Sequence, residues 1–304
     1  SPSDFVCHLS RFIGRAYPTG ESRMMKRKRR RITTYRRLLQ IKRNILINMG
    51  NKKTKLGLAL GSGGAKGAAL LGVLKAFEEE NIEFDVVAGT SIGSVVGALY
   101  AKGYTVGDMM RLKESIRIED PQTLLMLYLG GTGLTGIMRK ITGGAYFDDL
   151  VKPFRAVATD LDSGEEVVIG YGEVSTAIAA SSAIPPAFRP VVRDGRRLVD
   201  GAFVNYVPAD VTRILGAEKV ISVNLGMGSD TNQQIKKTLD EMYPENGVRL
   251  QDRSRQCYEY SNLIIAPPLD GFSGADVRRL DDMYEIGYKE AKKKIDEVLK
   301  TIKQ

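Results

Sequence analysis

Gly89-Thr90-Ser91-Ile92-Gly93 constrains this chain more than any other stretch. The apolar run Phe84-Asp85-Val86-Val87-Ala88 leads into it, and Ser94 to Lys102, a segment with a helical pattern, leads out of it. The order predicts a strand, a sharp turn and a helix. A G-x-S-x-G in that setting reads as a nucleophile elbow. Gly89 and Gly93 let backbone and substrate approach where a side chain would clash. The Ser91 hydroxyl then projects from the turn, and the helix start behind it offers N–H groups to a developing negative charge.

A second strand–turn–helix lies upstream. Lys55-Leu56-Gly57-Leu58-Ala59-Leu60 runs into Gly61-Ser62-Gly63-Gly64-Ala65-Lys66-Gly67. Leu70, Val73, Leu74 and Phe77 follow at the spacing of one buried helix face. A glycine-rich turn at a helix start presents several backbone N–H groups, which an oxyanion hole needs. The same geometry suits a phosphate, so a nucleotide site is the rival reading of this loop. A Walker loop is excluded by the order Lys66-Gly67, with no Ser or Thr after the lysine. A dinucleotide fingerprint would need glycine where Lys66 stands.

Histidine is nearly absent. His8, in the N-terminal tail, is the single one, which makes a Ser-His-Asp triad implausible. Another group must take the Ser91 proton, and an aspartate held beside the hydroxyl in a dry site can do so. The best candidate is Asp200, in Arg197-Leu198-Val199-Asp200-Gly201, where a strand ends and Gly201 permits a tight turn. Asp160 is the main rival base and Asp85 a more distant one. Ser62 and Ser94 read as packing or capping residues.

Together the glycine loop, the elbow and the aspartate resemble the patatin-like phospholipase family, in its bacterial, neuropathy-target-esterase-like branch. The loop is carried by Gly63-Gly64-Ala65-Lys66-Gly67, the elbow by Gly89 to Gly93, and the aspartate by Asp200-Gly201. Ala158-Thr159-Asp160-Leu161 with Ser163-Gly164-Glu165 resembles the family's strand and hairpin. Ala179-Ala180-Ser181-Ser182-Ala183-Ile184-Pro185 resembles its helix before the aspartate. The likeness covers roughly residues 54 to 300. Ala202 and Pro186 depart from the family's usual D-G-G and P-G, and neither removes a reacting group. The resemblance implies an α/β, three-layer domain with a mostly parallel sheet flanked by helices. It implies a Ser91–Asp200 dyad and an oxyanion hole at Gly63, Gly64, Ala65 and Lys66. The implied substrates are phospholipids, lysophospholipids or other acyl esters, with no metal and no cofactor. Lys66 is also a candidate for positioning an anionic head group.

From Thr54 onward, strand and helix candidates alternate, which independently predicts an α/β domain with a largely parallel sheet. Strands are expected at Phe154–Thr159, Glu166–Ile169, Arg197–Val199, Lys219–Leu225 and Leu263–Ala266, and a hairpin turn at Asp194-Gly195. Val277 to Lys303 reads as a long helix with a solvated lysine face. Between Thr105 and Leu150 the signals are less regular. Leu124 to Leu129 followed by Gly130-Gly131-Thr132-Gly133 fits a lid or acyl groove, or equally a core helix with its loop.

The charge of +9 divides unevenly. Residues 1–55 hold 16 Lys or Arg and 2 Asp or Glu, a net +14, and the remainder holds 29 and 34, a net −5. The expected organisation is therefore a basic arm, 1–53, and a hydrolase domain, 54–304. The domain's acidity argues against nucleic-acid binding. In the arm, Ile32, Tyr35, Leu39 and Leu46 sit at helical spacing among arginines and lysines. Such a segment either lies on an anionic membrane or stays disordered. Cys7 and Cys257 form no metal or disulfide pattern. No apolar run nears the ~20 residues of a spanning helix, and the start lacks an apolar signal-peptide core. The expectation is a cytoplasmic protein, peripheral to membrane at most. Oligomeric state has no signal. A non-catalytic lipid-binding module of the same fold and an acyltransferase remain the alternative functions.

Overall fold

The first strand, β1 (Leu56–Leu60), carries unequal faces. Leu56, Leu58 and Leu60 point into one large apolar cluster, and Ala59 points into another on the opposite side. Gly57 shares the Ala59 face, where a Cβ would lie 2.4 Å from Thr212 Cγ2. All five residues are buried, as expected of a central strand covered by helices on both faces. A computed structural model describes residues 54–115, 133–226, 237, 241 and 256–304. The basic arm and the Leu124–Thr132 segment lie outside the described residues.

β2 (Val86–Thr90) runs parallel to β1 on one flank, with Leu60 opposite Gly89. β7 (Lys219–Val223) runs parallel to β1 on the other flank, followed by β8 (Leu263–Ile265). β3 (Phe154–Asp160) lies parallel beyond β2. β4 (Glu166–Ile169) and β6 (Arg196–Asp200) pair antiparallel with β3, and β5 (Val191–Arg193) pairs with β6. The described sheet thus has eight strands, mostly parallel. Chain order reverses around β1, and ligand crevices of open α/β sheets form at the carboxyl ends of strands near such a point.

One register detail places the site. Ala158 of β3 pairs with Val167 of β4 and with Asp200 of β6. A strand residue has one partner on each flank, so β4 and β6 lie on opposite sides of β3. Val157 likewise pairs with Thr90 of β2 and Val168 of β4. β2 and β6 therefore share one flank of β3 and meet end to end.

Helices cover both faces. α1 (Ala68–Glu79), α2 (Ile92–Ala101), α5 (Val174–Ser181) and α8 (Leu280–Lys303) contribute Leu70, Phe77, Val95, Ile178, Met283 and Ile295 to the larger cluster. Full burial of a side chain such as Leu70 or Phe77 stabilises by about 1.5–3 kcal/mol. α6 (Ala209–Ile214) and α7 (Gln256–Tyr260) cover the other face through Ala209 and Cys257. α3 (Val106–Ser115) and α4 (Gly133–Thr142) complete the helices used below. The described residues include no helix long and apolar enough to cross a membrane.

Expected elements and observed ones differ at their ends. The strand before the elbow runs to Thr90 rather than Ala88, because Gly89 and Thr90 still pair with Ala156 and Val157. The helix after it begins at Ile92, so the turn is a single residue. Asp194 and Gly195 turn the β5–β6 hairpin with φ of 52° and 76°. The C-terminal helix starts at Leu280, after a short 3-10 turn over Val277–Arg279.

Candidate active site

Ser91 occupies that one-residue turn with φ 54° and ψ −125°, a conformation that costs a non-glycine residue about 1–3 kcal/mol. The surroundings hold it there. A Cβ on Gly89 would lie 2.2 Å from the Gly93 carbonyl oxygen, and one on Gly93 would lie 2.2 Å from that of Leu60. Both glycines are therefore needed for the first turn of α2 to seat on the ends of β1 and β2. The Ser94 N–H and hydroxyl both donate to the Ser91 carbonyl, at 2.8 and 2.7 Å. The Ser91 N–H donates to Ser181 Oγ at 2.8 Å.

Asp200 ends β6 beside it. The Ser91 hydroxyl donates to Asp200 Oδ2 at 2.5 Å, and the Ala202 N–H donates to Oδ1 at 2.8 Å. The Asp200 main chain is fixed at both ends: its N–H donates to the Ala183 carbonyl at 3.0 Å, and its carbonyl accepts from Thr159 Oγ1 at 2.8 Å. Gly201 permits this approach, since a Cβ there would lie 2.2 Å from the Val157 carbonyl oxygen. Ser91 is 4% exposed and Asp200 1%. Burial pushes the Asp200 carboxyl up to about 7, against the opposing pull of hydrogen bonds from Ser91 and the Ala202 N–H. Among the described residues no cation pairs with it. A carboxylate in that range can accept a proton near neutral pH, and its hydrogen bond points at the one it would take.

The glycine loop leaves β1 next to the elbow, and a Cβ on Gly67 would lie 2.2 Å from Ile92 Cγ1. Not all of its N–H groups are available. The Ala65 N–H donates to the Gly274 carbonyl at 2.7 Å, and the Lys66 N–H to the Gly63 carbonyl at 3.1 Å. Gly63 and Gly64 have no such partner among the described residues. The set of four oxyanion candidates therefore narrows to these two donors, and Gly274 is a contact that sequence reasoning did not anticipate. Gly64 adopts φ 57°, and a Cβ there would lie 2.4 Å from the Gly274 carbonyl oxygen, so the turn admits glycine alone. The Lys66 side chain is largely buried.

The other candidates have structural partners. Asp160 Oδ1 accepts from the N–H groups of Asp162 and Ser163, and Oδ2 faces Arg196 at 3.8 Å. Asp85 Oδ2 accepts from the Leu56 N–H at 2.8 Å. Ser62 is buried, its N–H on the Tyr206 carbonyl.

Between the glycine loop and the elbow opens an apolar cavity of about 290 Å³. Ala65, Ala68, Ile92, Val95, Met109 and Leu280 are among its walls, drawn from the glycine loop, α1, α2, α3 and α8. The stretch that the sequence suggested for an acyl groove, Leu124 to Gly133, lies outside the described residues except for Gly133. Ala65 and Ile92 belong to the glycine loop and the elbow, whereas Ala68 and Val95 carried no signal beyond ordinary helical periodicity. Among the described residues no group of three or more His, Cys, Asp or Glu could hold a metal ion.

Comparison with known proteins gives consistent relatives. A family model described as Patatin-like phospholipase matches residues 58–213. Human patatin-like phospholipase domain-containing protein 6 is 27% identical over 278 residues, covering 78% of this chain and 20% of that protein. An uncharacterized NTE family protein of Mycobacterium bovis is 34% identical over 181 residues, covering 58% of this chain and 50% of its own length. The chain spans about a fifth of the length of the first group of curated relatives. Among solved structures, VipD from Legionella pneumophila shares the fold with a TM-score of 0.52 at 14% identity, over 81% of this chain and 67% of that one.

Proposed function

The chain belongs to the patatin-like phospholipase family, and from that premise we propose that it is a serine lipid acyl hydrolase working through a Ser91–Asp200 dyad. The observation that supports this most is the buried 2.5 Å hydrogen bond from the Ser91 hydroxyl to Asp200 Oδ2. In the proposed reaction, Asp200 takes the Ser91 proton as Oγ attacks an ester carbonyl carbon. The carbonyl oxygen becomes an oxyanion, which the Gly63 and Gly64 N–H groups receive. One such donor contributes about 10²–10³ in turnover. Collapse breaks the ester C–O bond, and the leaving alkoxide takes the proton from Asp200. Water then attacks the acyl-enzyme, giving its proton to Asp200, and the same oxyanion donors serve again. Collapse of this second intermediate breaks the Ser91–acyl bond, and the Asp200 proton returns to Ser91.

The apolar cavity between the glycine loop and α2 suits the acyl chain, since its walls offer almost no polar partner. Lys66, largely buried within the loop, adds positive charge near the Gly63 and Gly64 N–H groups, which suits an anionic head group such as a phosphate. These features favour phospholipids, lysophospholipids and simpler acyl esters as substrates. We further propose that the arm, residues 1–53, is a separate unit that brings the domain, 54–304, to anionic membrane.

The test is hydrolysis of short-chain esters and of a lysophospholipid by wild type, Ser91→Ala and Asp200→Asn. Loss of activity in both folded variants is expected. Hydrolysis that survives Ser91→Ala would overturn the nucleophile assignment. An inactive wild type on every ester would favour a binding module instead.

A further inference from the structure

Ser181 sits at the end of α5, wholly buried, and its hydroxyl makes two contacts. It accepts from the Ser91 N–H at 2.8 Å and donates to the Val157 carbonyl at 2.5 Å. Val157 is the last β3 residue to pair with β2, and its neighbour Ala158 is the first to pair with β6. The hydroxyl thus fills the break where one strand stops and the other, arriving from the opposite direction, takes over the flank. A hydroxyl is a group that both donates and accepts from one atom, and here both capacities are engaged by backbone. Two residues further on, the Ala183 carbonyl accepts the Asp200 N–H at 3.0 Å. One short segment therefore grips the main-chain N–H of both members of the dyad.

We infer that Ser181 is a positioning residue, which holds Ser91 in its left-handed conformation and sets the Ser91–Asp200 contact by bridging the Ser91 N–H to β3. The inference rests on the dyad reading above. Ser181 faces backbone on both sides, so it acts through Ser91 and not on substrate. Without the hydroxyl, the buried Ser91 N–H would lose its acceptor and the Val157 carbonyl would lose the Ser181 donor. The cheapest relief is rotation of the Ser91 peptide out of its strained conformation, which carries Oγ away from Asp200.

The test compares wild type with Ser181→Ala, Ser181→Thr and Ser175→Ala. Ser175 is an equally buried serine of α5 whose hydroxyl bonds Glu173, away from the dyad. Three readouts are taken: kcat and KM on a short-chain nitrophenyl ester, the rate at which a fluorophosphonate modifies Ser91, and crystal structures. Ser181→Ala is expected to lower kcat and the modification rate together by about 10–100-fold, with KM within about twofold. Ser181→Thr, which keeps the hydroxyl, should recover most of the loss, and Ser175→Ala should lose little. In the Ser181→Ala crystal, Oγ of Ser91 should lie beyond hydrogen-bond distance of Asp200. A folded Ser181→Ala protein that keeps the contact, or keeps both rates, overturns the inference, as does an equal loss in Ser175→Ala. If wild type shows neither hydrolysis nor modification, the dyad reading fails, and the crystal comparison still decides the role of Ser181. Should the alanine variant not fold, Ser181→Cys, with weaker hydrogen bonds in the same shape, carries the same readouts.

Discussion

Thr90 and Asp200 occupy consecutive places on one flank of β3, Thr90 opposite Val157 and Asp200 opposite Ala158. Two strands running in opposite directions therefore meet end to end. The residue after Thr90 and the last residue of β6 have to face each other at the junction. The proposed nucleophile, Ser91, and the proposed base, Asp200, are delivered by strand ends and need no loop closure to come together. Replacing either should abolish turnover without unfolding the chain. Ser91→Ala and Asp200→Asn are each expected to lower kcat by about 10⁴-fold or more, with near-wild-type circular dichroism. Both the nitrophenyl-ester rate and the lysophospholipid rate should fall together.

The pH dependence follows from burial of Asp200. The carboxyl must be ionised to accept the Ser91 proton, and burial holds it up to about 7. Below that range kcat/KM should rise about tenfold per pH unit, and above it the profile should level off. A rate flat between pH 5 and 8 would contradict Asp200 as the base.

The same burial sets a stability cost with a definite sign. Asp200 is raised in the folded chain from the ordinary 3.8 to about 7. Its contribution to stability is fully present below the unfolded value and is lost as pH rises through the folded one. At pH 8 the native state must hold a buried carboxylate with no cation paired to it among the described residues. Asp200→Asn removes that burden. The variant should be more stable than wild type at pH 8, by an amount on the order of a few kcal/mol, and nearly equal to it near pH 4. Urea midpoints at the two pH values measure the difference. A gap that widened toward low pH would have the wrong sign.

Much of this site was legible in the chain itself. Gly89 to Gly93, Gly63 to Gly67 and Asp200-Gly201 each mark a place where backbone approaches backbone too closely for a side chain, and only glycine satisfies that need. Strand and helix alternation gave the layer order, because period 3.6 and short apolar runs are local properties. What was not legible is long-range. That β6 abuts β2 on the same flank of β3 depends on register, which no local pattern encodes. The Ser181 bridge and the Gly274 carbonyl on the Ala65 N–H depend on tertiary approach across 90 and more than 200 positions. The cavity walls were hidden for a similar reason. Ala68, Val95 and Met109 are apolar residues on ordinary helices, and nothing in their spacing distinguishes a lining position from a core one.

The crossing of α1 and α8 offers a prediction of stability with an internal control. Gly72 and Gly287 bring the two helices into backbone contact. A Cβ at Gly72 would lie 2.0 Å from the Tyr284 carbonyl oxygen, and one at Gly287 would lie 2.1 Å from that of Ala69. Neither obstacle is a flexible side chain, so the helices would have to separate. Gly72→Ala or Gly287→Ala should each destabilise by about 1–3 kcal/mol. Gly136, exposed on α4, has nothing within 4 Å of its would-be Cβ. Gly136→Ala should stabilise by about 0.5–1 kcal/mol, through helix propensity and a less free unfolded chain. Thermal or urea unfolding of the three variants should give two shifts down and one up.

Acyl-chain preference should respond to the cavity walls while chemistry at the ester does not. Ala68 opens α1 and lines the cavity of about 290 Å³ beside the glycine loop. Ala68→Leu adds three carbons to that space without touching Ser91, Asp200 or the Gly63 and Gly64 N–H groups. An acetyl ester needs none of the cavity, so its kcat/KM should change little. A long-chain ester must place its methylenes there, and each one excluded from an apolar pocket costs about 1–3 kcal/mol of transition-state binding. The ratio of kcat/KM for a decanoyl over an acetyl nitrophenyl ester should therefore fall at least about tenfold. Leu71→Ala, which enlarges the same cavity, should move the ratio the other way or extend the optimum to longer chains. Equal changes on both esters would mean that the substitution disturbs the dyad, and no change on either would place the acyl chain elsewhere.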